Sequence, residues 1–176
     1  MKARAGFTLV ELMVTVAIAA ILLSLGVPSF QEYIRNSRLV SRTNDFIGAL
    51  HLARSEAIKR GGRVTLCKSA DGATCASSGG YEQGWIVFVD ANNDATVSSS
   101  TAVIRAYEAI PPGAGITLTG NSNVESYVSY TADGKTKLLS GGFQAGTLTV
   151  CMAPTKAKRI VMSSSGRART EDGPCS

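Results

Sequence analysis

Histidine occurs once, at position 51, and no Ser/His/Asp or Cys/His set can be assembled around it, so the sequence offers no machinery for general-base or nucleophilic catalysis. Aromatic residues are scarce at 6%, and none is interleaved with the basic clusters, which argues against recognition of bases by stacking. The Gly-Gly pairs at 61, 79 and 141 lack the context of a phosphate-binding loop, so nucleotide binding has no support. There is no internal repeat, and the composition excludes a collagen, a coiled coil alone or a wholly disordered chain. Charge of one sign is also missing from long stretches. Residues 71–133 hold a single basic residue, Arg105, against seven acids, and residues 134–170 hold seven basic residues and no acid.

What is present begins at the N terminus. Residues 1–6 carry two positive charges and no acid, and residues 7–27 are apolar or small except for Thr8, Glu11, Thr15 and Ser24. As a helix this stretch measures roughly 30 Å, enough to cross a bilayer core, and residues 7–27 are expected to be a transmembrane and assembly helix. Glu11 is the anomaly, because a carboxylate near a bilayer centre costs about 2.5–3.5 kcal/mol or more and calls for a partner. Pro28 removes one backbone donor without ending the pattern, and the helix is expected to curve near it. Ile34, Leu39, Val40, Ile47, Leu50, Ala53 and Ala57 then recur at three- and four-residue steps, so residues 28–60 read as an amphipathic continuation that Gly61-Gly62 stops. His51 falls on this helix, where a surface or packing role is expected.

Gly6-Phe-Thr-Leu-Val-Glu-Leu12, behind a short basic leader and ahead of an apolar helix, resembles the processing site of type IV prepilins and type II secretion pseudopilins. The resemblance implies cleavage by a prepilin peptidase between Gly6 and Phe7, N-methylation of Phe7, and a role for Glu11 in neutralising the N-terminal amine of a neighbouring subunit during filament assembly. It implies an inner-membrane protein with a single span and a periplasmic head, later part of an extracellular pilus and in contact with other pilins. No catalytic residue, cofactor or metal is implied, and the chain reads as a structural subunit rather than an enzyme.

After the double glycine the periodicity shortens. Apolar alternations at 64–67, 85–89, 103–107, 116–118, 127–130, 147–152 and 159–162 predict about seven strands, so residues 63–176 form the β-rich head of an α+β fold in which the long helix packs on a small antiparallel sheet. The run Gly84-Trp-Ile-Val-Phe-Val-Asp90 followed by Ala-Asn-Asn-Asp resembles the GspH/FimT/FimU subgroup of minor pilins and pseudopilins. Asp90, Asn92 and Asp94 mimic the opening of a calcium loop. Ala95 and Thr101 stand where that loop needs Gly and Glu, and a hairpin turn is the better reading.

Four cysteines, an even number, suit two disulfides in an oxidising compartment. Three pairings are possible; Cys67 with Cys75 and Cys151 with Cys175 is favoured because each pair brackets a turn-rich local segment. A zinc site is disfavoured, since the short Cys-x2-4-Cys spacing is absent.

The basic block of residues 134–170 contains Lys156, Lys158, Arg159, Arg167 and Arg169. Ile160-Val-Met162 and Ser163-Ser-Ser165 separate its two densest clusters, and a hairpin there is expected to bring both to one end. Alternation puts Arg167 and Arg169 on one side of an extended segment, about 7 Å apart, which suits successive phosphates. Ser165-Gly-Arg-Ala-Arg169 resembles the Gly-Arg-x-Arg motif of FimT-like minor pilins, which implies Gly166, Arg167 and Arg169 as motif positions in binding double-stranded DNA during natural transformation, with Lys156, Lys158 and Arg159 in support. Glu171 and Asp172 follow directly and oppose a phosphate backbone unless the last disulfide turns them away. The alternative is a structural adaptor at a pilus or pseudopilus tip, like FimU or the secretion pseudopilins, whose basic face docks on another minor pilin without DNA.

Overall fold

The computed structural model describes residues 6, 8–152 and 156–175, without the side chains of residues 25–29 and Lys156. One helix, α1, runs Leu9–Arg60 and continues through Pro28. Two compact units divide the chain at Arg38 and Leu39.

In the first unit, Thr8 and Glu11 form a reciprocal cap. The Glu11 N–H donates to Thr8 Oγ1 (3.3 Å), and Thr8 N–H donates to Glu11 Oε2 (3.4 Å). This is the Thr-x-x-Glu arrangement that satisfies the orphan donors of a helix start. The side chains of Leu9, Val10, Leu12, Met13, Ile21 and Leu22 are exposed. Among the described residues no helix is long and apolar enough to cross a membrane. The span expected over 7–27 includes Phe7 and the side chains of residues 25–27, which lie outside the described residues.

In the second unit, the helix from Leu39 onward buries Leu39, Phe46, Ala49, Leu50, Ala53 and Ala57. These recur at helical spacing and form one stripe. Val40, expected on that stripe, is more than a third exposed; Phe46 and Ala49 occupy the core instead. His51 is exposed on the opposite side. Gly61, with φ +65°, ends the helix in the left-handed conformation a non-glycine residue avoids.

Eight strands follow: β1 Val64–Lys68, β2 Trp85–Val89, β3 Val103–Tyr107, β4 Ile116–Gly120, β5 Tyr127–Tyr130, β6 Gly146–Met152, β7 Lys156–Met162 and β8 Ala168–Gly173. They form two antiparallel four-stranded sheets, ordered β3-β2-β1-β5 and β4-β6-β7-β8, rather than the one sheet expected. Val64, Leu66, Trp85, Val87, Val128 and Tyr130 of the first sheet share a core with Leu148, Val150, Ile160 and Met162 of the second and with the helical stripe. Full burial of each large apolar side chain contributes about 1.5–3 kcal/mol. Phe46 links the layers, its ring edge-on to Tyr81 (5.1 Å) and Trp85 (5.2 Å). The disulfides are Cys67–Cys75 and Cys151–Cys175. The first covers the outer side of the first sheet beside Ile86 and Phe88, and the second ties the tail after β8 to β6.

Candidate nucleic-acid interface

β7 and β8 form a hairpin whose turn is residues 163–167. Gly166 N–H donates to the Ser163 carbonyl (2.9 Å), and Ser163 N–H donates to the Arg167 carbonyl (3.0 Å). Gly166 is buried with φ +77°, and a Cβ there would meet the Gly134 carbonyl oxygen. Both facts demand glycine, so its part in the Gly-Arg-x-Arg motif is to let the turn lie against the 131–136 loop.

That loop grips the turn. Thr136 N–H donates to the Ser164 carbonyl (3.2 Å), and its hydroxyl lies 3.1 Å from the Ser163 carbonyl. Arg54 of α1 donates through Nη2 to the Ser165 carbonyl (3.3 Å). Within the loop, the hydroxyl of Thr131 donates to Asp133 Oδ1 (2.6 Å), which holds the Asp133 carboxyl down at about 2. Arg54 therefore joins the turn, and it did not stand out in the sequence. Arg54 looks like any charged residue on an amphipathic helix. Its one signal is the i, i+4 spacing to Ile58, which also packs near Gly134.

The hairpin register separates the two basic clusters instead of gathering them. Met162 pairs with Ala168 beside the turn, whereas Lys158 pairs with Asp172 near the far end. An antiparallel hairpin pairs residues equidistant from its turn, so Arg159, about 10 Å further along β7, meets Glu171 rather than the arginines beside the turn. Arg167 and Arg169 are both exposed.

Across the outer face of the second sheet the register sets Thr119, Thr149, Arg159 and Glu171 in one row. Val161 and Arg169 pair in the adjoining row beside Thr147, whose N–H donates to Asn121 Oδ1 (2.9 Å). Glu171 is shared: its oxygens lie 3.5 Å from Arg159 Nη1 and 3.8 Å from Arg169 Nη2. Asp172 pairs with Lys158. Glu171 and Asp172 are thus turned onto the hairpin's own cations. Arg167 has no side-chain partner among the described residues. The side chain of Lys156 lies outside them.

The Asp90 segment is a turn. Its buried carboxylate accepts from Thr65 Oγ1 (3.0 Å) and from the N–H groups of Asp94 (3.0 Å) and Ala95 (3.1 Å). Among the described residues no group of His, Cys, Asp and Glu could hold a metal ion.

The family described as Type II transport protein GspH matches residues 42–166. The chain belongs to the GspH family. The prokaryotic N-terminal methylation motif matches residues 1–27 of this GspH-family chain. The crystal structure of the type IV minor pilin FimU of Pseudomonas aeruginosa is similar, with TM-score 0.60 and 19% identity over 79% of this chain and 92% of that one. A fimbrial protein of Pseudomonas aeruginosa is 41% identical over 64 residues, 36% of this chain and 41% of the relative, so the match spans about two fifths of that relative's length. The fimbrial protein EcpC of Eikenella corrodens is 29% identical over 135 residues, 74% of this chain and 85% of its own. This GspH-family chain is a minor type IV pilin or pseudopilin. Its family and fold are those of structural subunits.

Proposed function

We propose that this GspH-family subunit binds double-stranded DNA without sequence preference during natural transformation, through Arg167 and Arg169. The observation that carries the proposal is Arg167, exposed and unpartnered among the described residues, on a turn that Gly166 and Arg54 hold fixed. A free guanidinium on a rigid support loses little entropy on meeting a phosphate, and its planar donors suit two phosphate oxygens. Arg169 stands two residues on and is 75% exposed, with only a long contact to Glu171. Lys156, Lys158 and Arg159 supply a supporting field. In the same reading prepilin peptidase cuts between Gly6 and Phe7, Phe7 is methylated, residues 7–27 span the inner membrane, and Glu11 serves assembly. The head is periplasmic before assembly and extracellular in the pilus afterwards.

The test is a titration of the full chain, in non-ionic detergent, into labelled duplex DNA at several salt concentrations. The two phosphate contacts of Arg167 and Arg169 give a log–log slope of about −1.8, so raising salt from 50 to 200 mM should weaken binding roughly 12-fold. Arg167→Gln/Arg169→Gln should lose most of that slope. Binding independent of salt refutes the proposal.

A second reading has an observation in its favour. Lys158, Arg159 and Arg169 already face carboxylates, so much of the hairpin is charge-balanced and suited to a protein surface rather than a polyanion. As a tip adaptor the subunit would dock this face on another minor pilin, and the double variant would lose that partner while DNA binding was absent throughout.

A further inference from the structure

An open groove of about 430 Å³ lies on the outer face of the second sheet, lined by Thr119, Asn121, Thr147, Thr149, Arg159 and Pro174. The Cys151–Cys175 disulfide holds the tail that carries Pro174 as one wall. Inside, Thr119, Thr149 and Arg159 stand in register on three adjacent strands, spaced by about 5 Å. The hydroxyls of Thr119, Thr147 and Thr149 make no hydrogen bond among the described residues. A guanidinium flanked by free hydroxyl donors is the chemistry that receives a phosphate group, and it reads no base.

Among the described residues only Glu171 opposes this. It stands next in the same row and reaches Arg159 and Arg169 at 3.5 and 3.8 Å. Both contacts are too long for strong charge-assisted hydrogen bonds, and the side chains involved are 38–75% exposed. Such a pair is weak enough for a phosphate to displace. We infer that this groove is a second phosphodiester site of the subunit, masked in the free protein by Glu171, which acts as an internal counter-ion to Arg159 and Arg169. The inference rests on the DNA-binding reading above and extends the contact from the turn across the sheet. Arg159 lies two residues along and one strand over from Arg169, so a backbone leaving the turn reaches it after about 8 Å.

The experiment compares full chains in non-ionic detergent by anisotropy of labelled duplex DNA over a salt series. The variants are wild type, Glu171→Gln, Glu171→Gln/Arg159→Gln, and the control Glu108→Gln, an exposed carboxylate on the segment after β3. Glu171→Gln should tighten binding about tenfold at low salt and steepen the slope by about 0.9 for each arginine released. Adding Arg159→Gln should remove about half of that gain, the share of Arg159. Glu108→Gln changes net charge equally and should leave the slope unchanged. If the control matches Glu171→Gln, or the double variant keeps the gain, the inference is overturned. If none of the chains binds DNA, the DNA reading falls, and inorganic phosphate then decides the groove by itself. Threonine methyl resonances of Thr119 and Thr149 should shift with phosphate in Glu171→Gln but not in the double variant. No shift in either overturns the site.

Discussion

Gly166→Ala tests whether the turn that carries Arg167 is held as described. The position has φ +77°, and an L-residue in left-handed conformation costs about 1–2 kcal/mol. The added methyl also meets the Gly134 carbonyl and lies 3.2 Å from the Tyr130 ring. A backbone atom cannot rotate away, so one loop must move, an overpacking cost of about 1–3 kcal/mol. The expected loss is thus roughly 2–5 kcal/mol, and at about 2–4 °C per kcal/mol the melting temperature should fall by at least about 4 °C. The assay is built in. Trp85 is the only tryptophan and is 1% exposed, stacked on Tyr107 at 5.2 Å, so its fluorescence reports unfolding of the head. Gly142→Ala is the control, because a Cβ there makes only ordinary contacts at 3.8 Å, and it should change stability by less than about 0.5 kcal/mol. A fall below about 1 °C for Gly166→Ala, or equal falls for both variants, would refute the reasoning.

Gln144 is fully buried; it accepts from Ser129 N–H (2.8 Å) and donates to the carbonyls of Asn123 (2.8 Å) and Tyr127 (2.9 Å). Gln144→Leu strands three backbone groups and should cost about 3–5 kcal/mol in chemical denaturation, whereas a loss under about 1 kcal/mol would show that they find other partners. The Asp133 carboxyl, lowered to about 2 chiefly by the Thr131 hydroxyl, should titrate there by NMR. Because its folded value is depressed, its contribution is complete above the unfolded value of about 3.9 and is lost as pH falls through 2; Asp133→Asn should lack that part of the pH dependence, and a midpoint near 4 would count against the hydrogen bond. Cys151→Ser/Cys175→Ser opens a loop with separation 24 and should cost about 3 kcal/mol by thermal unfolding, with an unchanged melting temperature as the contrary result.

Much of the architecture was legible where one physical signal dominates. The helix end at Arg60 was readable because helical periodicity stops at two glycines, and the seven strands β1–β7 because short apolar runs recur between turn-rich segments. β8 was not. Ala-Arg-Thr-Glu-Asp-Gly offers one small residue to the core, because β8 is an edge strand whose other positions face solvent or ion pairs. The division into two sheets was equally hidden, since β5 returns to β1 while β4 joins β6, pairings set by tertiary packing. Gln144 gave no sign of burial, because a polar side chain satisfied by backbone groups looks like any loop residue. At the candidate site, the exposure of Arg167 and Arg169 followed from their spacing. The pairing of Lys158 with Asp172 and Arg159 with Glu171 could have been counted outward from the 163–167 turn, had that turn been fixed as the centre of the hairpin.

The two disulfides join cysteines only 8 and 24 residues apart. In the unfolded chain the chance of two thiols meeting falls with the length of chain between them. Joining Cys67 to Cys151 would close a loop of roughly eighty residues, about 2 kcal/mol less favourable than the loop to Cys75, or some thirtyfold rarer. The native partners are therefore the ones each thiol meets first. Proximity alone thus favours the native connectivity as the thiols oxidise.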